Sequence, residues 1–262
     1  LDEIVNALER SYAVRGWSRH LWKNDMALLK RVGLHPDDAT LHDLEKVILR
    51  SSTPGGRANY VARLKSLWRH MRRLGLTSST VDDLLPEIRK PRSTPSPLTD
   101  AQVDRLLRFA EQPYRDWFTL GCYAGLRAME VSGIRGEDLY QVADSWRLRV
   151  RGKGGTDLVV PVGAQVATVI QRHDTSDRLW KVGPNKVSAR ACAEMRRLGV
   201  NRRFHDCRHW YATTLLDVTN GDLPTVAELM RHGSIMTTKG YAALNPERPL
   251  AAVKGLESRT VA

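Results

Sequence analysis

A histidine and a tyrosine stand nine residues apart near the end of the chain, His232 and Tyr241, in the stretch ELMRHGSIMTTKGYAAL. A tyrosine so placed is ordinarily a packing aromatic. Its phenol becomes a reagent only if other groups take its proton and stabilise the charge that its attack creates. Candidates for those groups lie upstream. YAGLRAMEVS carries Arg127 and, three residues on, Glu130, which shares its helix face and can hold the guanidinium in place. Lys153 stands among glycines in RGKGGT, at what reads as the tip of a hairpin. FHDCRHWYATTLL carries His205 and Arg208 at a spacing that points them the same way, with His209 one turn from His205. Each has a plainer reading: a surface ion pair, a solvated turn lysine, a helix-end histidine.

Two histidines one turn apart also raise metal binding, with Cys207 as a third donor. On a helix Cys207 faces elsewhere, and no further ligand lies at a useful spacing, so a His–Arg phosphate site is the stronger reading. No cofactor and no metal are expected. No single member of the set outweighs its plain alternative, but the ordered combination does: Arg-x-x-Glu, a hairpin Lys, His-x-x-Arg-His, then His and Tyr nine apart. In this combination the chain resembles the tyrosine recombinases, the lambda-integrase and Xer family. GLRAMEVSGI is similar to the first arginine box, HDCRHWYATTLL to the second, and LMRHGSIMTTKGY to the His…Tyr box. TPGGRANYVARLKSLWRHMRRLGL, followed by a Pro-rich basic linker, is similar to the family's core-binding domain. Three positions depart from the pattern: Arg231 where Gly is usual before the histidine, Gly240 before the tyrosine, and Met129 after the first arginine pair.

The resemblance implies attack on a DNA phosphodiester, with Tyr241 as nucleophile. A phenol of pKa near 10 costs about 4 kcal/mol to ionise at pH 7, so a base must take its proton, and His205 is the candidate. Arg127 and Arg208 would clamp the non-bridging oxygens, His232 would donate one more hydrogen bond, and Lys153 would protonate the leaving 5′ oxygen. Such a set stabilises the developing charge without Mg²⁺. The implied partners are double-stranded DNA attachment or crossover sites, further copies of the chain in a tetramer on a Holliday junction, and an accessory DNA-bending protein. A phage or mobile-element integrase is preferred here over an Xer-type resolvase. A type IB topoisomerase-like relaxing activity and a non-catalytic DNA-binding regulator are the other readings, and a metal-dependent nuclease lacks its carboxylates.

The elements that must position these residues are mainly helical. Before residue 89 every segment has helical periodicity, with Gly33 as a C-cap and Thr40 as an N-cap. GRANYVARLKSLWRHMRRLG places Val61, Leu64, Trp68 and Met71 at core spacing and Lys65, Arg69, Arg72 and Arg73 on a neighbouring stripe, a candidate DNA contact. RKPRSTPSPLTD cannot continue a helix. Thr99 with Gln102 then forms a capping-box pattern. DWFTLGCYAGLRAMEVSGI reads as one buried helical stretch, and DSWRLRVRGKGGTDLVVPV as a β-hairpin. Further helices carry Trp210, Tyr211, Leu215 and Leu216 as core. The expected fold is mainly α with a small antiparallel β-sheet, in the two-domain tyrosine recombinase architecture. A helical core-binding domain over 1–88 and a linker over 89–98 precede an α+β catalytic domain over 99–262, whose tail, by resemblance, docks on a neighbouring protomer.

Composition sets the partner class. The 262 residues carry a formal charge of +12, and each side of Pro97 contributes an excess of six cations, so the basic character belongs to both domains rather than to a tail. That favours a polyanionic partner, nucleic acid before membrane. Arginine outnumbers lysine 31 to 10, which suits planar, bidentate phosphate contacts. The three cysteines have no metal-type spacing and read as reduced thiols. No apolar run nears a membrane span and no signal-peptide pattern opens the chain, so with reduced thiols the expected location is the cytoplasm, and the resemblance implies that of a bacterial host.

Overall fold

The computed structural model describes residues 1–89, 96–151, 157–173 and 177–231. The chain divides into two compact units, Leu1–Ser93 and Thr94–Ala262, and the division falls within the Pro-rich stretch. Lys153, His232, Tyr241 and the tail lie outside the described residues.

The N-terminal unit comprises α1 (Asp2–Val14), α2 (Arg19–Val32), α3 (Leu41–Leu49), α4 (Pro54–Arg73) and a 3₁₀ turn (Val81–Leu84). Local chemistry sets the ends. Ser18 Oγ accepts from Leu21 N, Thr40 and Asp43 form a capping box, and Thr53 caps α4 with Pro54 at its first position. Gly33 closes α2 at φ 76°, where a side chain would be strained. Apolar residues at helical spacing meet in one core of Leu8, Leu29, Leu44, Leu64, Trp68 and Met71, all fully buried. Two carboxylates are buried with their cations. Asp25 accepts from Tyr12 Oη and Arg63, and Asp82 accepts from Arg72. Arg72 Nη1 also donates to Ser79 O at 2.7 Å. This corrects the basic stripe: Arg72 points at the Val81–Leu84 turn, whereas Arg69 and Arg73 are exposed and Lys65 is half-exposed.

The second unit runs α5 (Asp100–Phe109), α6 (Tyr114–Tyr123), α7 (Ala128–Gly133), a 3₁₀ turn (Gly136–Asp138), β1 (Leu139–Val142), β2 (Ser145–Arg151), β3 (Asp157–Pro161), α8 (Ala164–Gln171), α9 (Pro184–Arg197), α10 (His205–Val218) and α11 (Leu223–Leu229). Thr99 and Gln102 form the capping box of α5 in both directions, at 3.2 and 3.1 Å. α6 is buried on nearly every side, with Trp117, Phe118 and Leu120 inaccessible, and the core forms around it. The sheet has the order β1-β2-β3, antiparallel throughout, with Leu148 opposite Val160 and Val150 opposite Leu158. Leu148, Val150 and Val160 face the core, so the two-residue period leaves Arg147, Arg149 and Arg151 on the other face of β2.

The structure differs from the sequence reading at three places in this unit. The hairpin gains β1, a four-residue strand joined to β2 by a turn at Ala143 (φ 49°) and too short to carry a periodic signal. The stretch read as one helix is two, α6 and α7, broken over residues 124–127. Gly125 takes φ 59° and Arg127 is extended at φ −77°, ψ 156°. On α10, Leu216 is fully buried as expected, but Trp210, Tyr211 and Leu215 are only half-buried. Trp210 Nε1 donates to Asp100 Oδ1 at 2.7 Å, which accounts for its place nearer the surface.

Candidate active site

The break between α6 and α7 is where the site begins. Gly125 can take its positive φ because it lacks a Cβ, and a Cβ there would lie 2.4 Å from the Tyr211 ring. Arg127 follows as the residue just before α7, and Glu130 sits one turn into it. Glu130 Oε2 accepts from Arg127 N at 2.8 Å, and Oε1 accepts from Arg127 Nη1 at 2.7 Å. The carboxylate thus caps the helix and holds the arginine side chain at once. Burial acting alone would raise its pKa. The Arg231 charge, the Arg127 N–H and the Arg127 guanidinium together outweigh burial and hold it below the usual carboxylate range.

α10 brings the second arginine to the same loop. Arg208 is 1% exposed and donates from Nη1 to Gly125 O and from Nη2 to Met230 O. It therefore joins the α6–α7 break to the end of α11. His205 opens α10, with His209 one turn on and the two rings edge-to-face at 4.6 Å. Solvent reaches part of His205, yet desolvation of its ring and the charges of His209, Arg208 and Arg127 push its pKa down to about 4. It is a neutral imidazole at neutral pH. Burial lowers His209 as well, with Asp206 opposing and Arg208 adding to the shift. Cys207 faces the core, where a Cβ on Gly121 would come within 2.9 Å of its own, so it is turned away from the two histidines. Among the described residues no group of three or more His, Cys, Asp or Glu is arranged to hold a metal.

Arg127, Glu130, His205 and Arg208, four residues spread over 82 positions of sequence, are thus brought to one loop. Two participants were not in the sequence-derived set. Gly125 supplies the carbonyl on which Arg208 and Arg231 converge. Arg231, with φ 53° and a side chain 2% exposed, donates from Nη2 to Glu130 Oε2 at 3.1 Å. Burial lowers the Arg231 pKa from its ordinary value, against the pull of Glu130. The signals were present as a glycine inside YAGLR and a cation where the resemblance leads to glycine, but neither shows which residue it meets. Beside Glu130, a cleft of about 330 Å³ is lined by Arg149, Arg151 and Arg178. Lys65, Arg69, Arg72 and Arg73 belong to the other unit.

Comparison with known proteins gives this arrangement its context. The chain is 31% identical to the tyrosine recombinase XerC of Mesorhizobium japonicum over 224 residues, which cover 76% of this chain and 71% of that one. Its fold is similar to a lambda integrase dimer bound to a COC′ core site, with a TM-score of 0.70 at 16% identity, covering 90% of this chain and 96% of that one. It is also similar to a lambda integrase tetramer bound to a Holliday junction, with a TM-score of 0.67 at 15% identity, covering 89% and 77%. The profile of the phage integrase family matches residues 97–248, more than half of the chain and the whole span that carries the arginine, histidine and tyrosine boxes. On that match this chain belongs to the phage integrase family and is a tyrosine recombinase.

Proposed function

We propose that this recombinase cuts and rejoins DNA at specific sites through a 3′-phosphotyrosyl intermediate, with Tyr241 as the nucleophile. The observation that carries the reading is the gathering of Arg127, His205 and Arg208 around the Gly125 loop. The phenolic oxygen of Tyr241 attacks the phosphorus while the bond to the 5′ oxygen breaks. The phenolic proton passes to His205, and the leaving 5′ oxygen takes a proton from Lys153. Arg127, whose side chain is 39% exposed, meets the non-bridging oxygens first. Arg208 lies beneath and is uncovered as DNA seats, its plane held by the two carbonyls. His232 donates a further hydrogen bond.

A neutral His205 can accept a proton; desolvation of the ring is the main cause of its lowered pKa, and a phosphate seated between the guanidinium groups offsets the smaller share that comes from neighbouring positive charge. The phosphotyrosyl bond keeps the energy of the broken diester. A 5′-hydroxyl from a second strand can therefore attack it and reseal the backbone without ATP. Exchange between two duplexes calls for four protomers on a Holliday junction, a reading supported by the lambda integrase tetramer on such a junction. The N-terminal unit acts as the core-DNA-binding domain, with Lys65, Arg69 and Arg73 toward the backbone, and an accessory DNA-bending protein brings the sites together. The enzyme works in the cytoplasm of a bacterial host. Integration of a mobile element is the preferred use. The likeness to XerC favours resolution as a second reading. Host sites captured covalently would flank a mobile segment in the first case and form a single chromosomal locus in the second.

Incubation with a nicked cognate site is expected to give a denaturant-stable protein–DNA adduct that Tyr241→Phe abolishes. An adduct from Tyr241→Phe would remove Tyr241 from the mechanism. Excess chelator is expected to leave adduct formation unchanged, and strong inhibition would return attention to His205 and His209 as metal ligands. Relaxation of plasmids that lack the target site would instead mark a topoisomerase-like enzyme.

A further inference from the structure

Two guanidinium groups share one carboxylate in the second unit, and the first arginine box accounts for one of them, Arg127. Arg231 is the other, standing where the resemblance leads to glycine. Its backbone has φ 53°, a region glycine enters freely, yet it carries a long side chain that is 2% exposed and runs back to the Arg127 loop. Nη2 lies 3.1 Å from Glu130 Oε2 and 3.0 Å from Gly125 O, and Nη1 lies 3.1 Å from Leu229 O and 3.3 Å from Ala124 O. Glu130 Oε1 meanwhile holds Arg127 Nη1 at 2.7 Å. A carboxylate with one arginine is a neutral pair, whereas one shared by two leaves a net positive charge. Arg231 is covered and Arg127 is 39% exposed, so the surplus charge faces outward at Arg127. The same side chain ties the end of α11 to the loop that carries Arg127.

We infer that Arg231 is a positioning residue for the reaction: it takes up part of the Glu130 charge, leaves Arg127 a net cation toward the scissile phosphate, and anchors the end of α11 to the Arg127 loop. The inference rests on Arg127 being a phosphate clamp, as proposed above. Arg127→Ala separates the two ideas. If that variant keeps its rate, the clamp reading itself has failed.

The experiment measures single-turnover adduct formation by the full chain, per folded molecule. It uses a nicked cognate site with an ordinary scissile diester and the same site with a methylphosphonate, which lacks one non-bridging charge. Arg231→Gly suits the backbone at this position, and Arg231→Met keeps most of the bulk. Both are expected to slow the diester by about 30-fold and the methylphosphonate by less than about threefold, because less charge remains to be stabilised. Glu130→Gln is expected to slow the parent enzyme but to speed the Arg231→Gly variant, since it frees Arg127 from a one-to-one pair. Equal losses on both substrates, with no such reversal, would reduce Arg231 to support of the fold and overturn the inference. An unchanged rate on the diester would overturn it too.

Discussion

Both units place arginines against buried carboxylates, but the Gly125 loop of the second balances the charge differently from the paired carboxylates of the first. In the N-terminal unit each carboxylate has its own cation: Asp25 meets Arg63, with Tyr12 as a further donor, and Asp82 meets Arg72. These pairs fasten one segment to another, with the exposed Asp83 a further neighbour of Arg72 at 3.8 Å. The second unit has such pairs too, Arg151 with Asp138, Arg172 with Asp116 and Arg197 with Glu194, but at the Gly125 loop Arg127 and Arg231 share the carboxylate of Glu130, and main-chain carbonyls of Ala124, Gly125, Leu229 and Met230 accept from Arg208 and Arg231. Carbonyl dipoles can solvate a guanidinium without cancelling its charge. A site built this way keeps a positive potential for an incoming phosphate, whereas a neutral pair has none to offer. Two regions with similar inventories are therefore suited to different work, one to cohesion and the other to binding an anion.

The largest expected effect strikes the carbonyl hub. Gly125→Ala must take φ 59° and fit a methyl group 2.4 Å from the Tyr211 ring, at a cost of about 3 kcal/mol to the second unit. It also misplaces the carbonyl shared by Arg208 and Arg231, so adduct formation is expected to fall by more than about 100-fold per folded molecule. Thermal melting with the adduct assay checks both effects. Adding Tyr211→Leu should recover the steric share of the stability and leave the backbone share. An undisturbed Gly125→Ala enzyme would break the view of this loop as the hub.

Next comes the neutral pair. Arg72→Ala leaves Asp82, 1% exposed, without its cation and is expected to cost the N-terminal unit about 2–4 kcal/mol, read by denaturant unfolding. Adduct formation per folded molecule is expected to hold. A large loss of DNA binding at undiminished stability would return Arg72 to the DNA-contact stripe and erase the contrast between the units.

The smallest effect is a pH dependence. The folded-state pKa of His205, about 4, lies below the ordinary value of 6.5, so between those values the unfolded chain binds more protons. Stability from this residue is fully present above pH 6.5 and is lost as pH falls toward 4. Solvent access to His205 weakens the effect. His205→Gln is expected to flatten the slope of melting temperature against pH across that window. A steeper slope in the variant would mean that His205 is held charged, contrary to its role as a base.

Much of the architecture was legible because it follows from local chemistry. Thr40, Thr99 and Gly33 mark helix ends through hydrogen bonds within a few residues, and Leu64, Trp68 and Met71 repeat at the helical period. The break at residues 124–127 was hidden because a glycine inside an apolar run does not announce a positive φ. The strand β1 was hidden because four residues are too few to alternate. Arg72 was misplaced for a related reason: helical spacing gives the direction of a side chain but not the carboxylate, ten residues on, that turns it inward.

Residue order alone was enough to read the helical character, a break at the Pro-rich stretch and the basic composition, which depend on periodicity, capping and charge acting over short distances, and the ordered boxes that hold Arg127, Glu130, His205 and Arg208 were read from the resemblance. The partners of those side chains came only from packing. Whether Glu130 serves one arginine or two, whether a carbonyl at Gly125 gathers two guanidinium groups, and whether Arg231 is buried depend on contacts between residues about 80 to 106 positions apart. Contacts of that range exist only once the helices have closed on a common core.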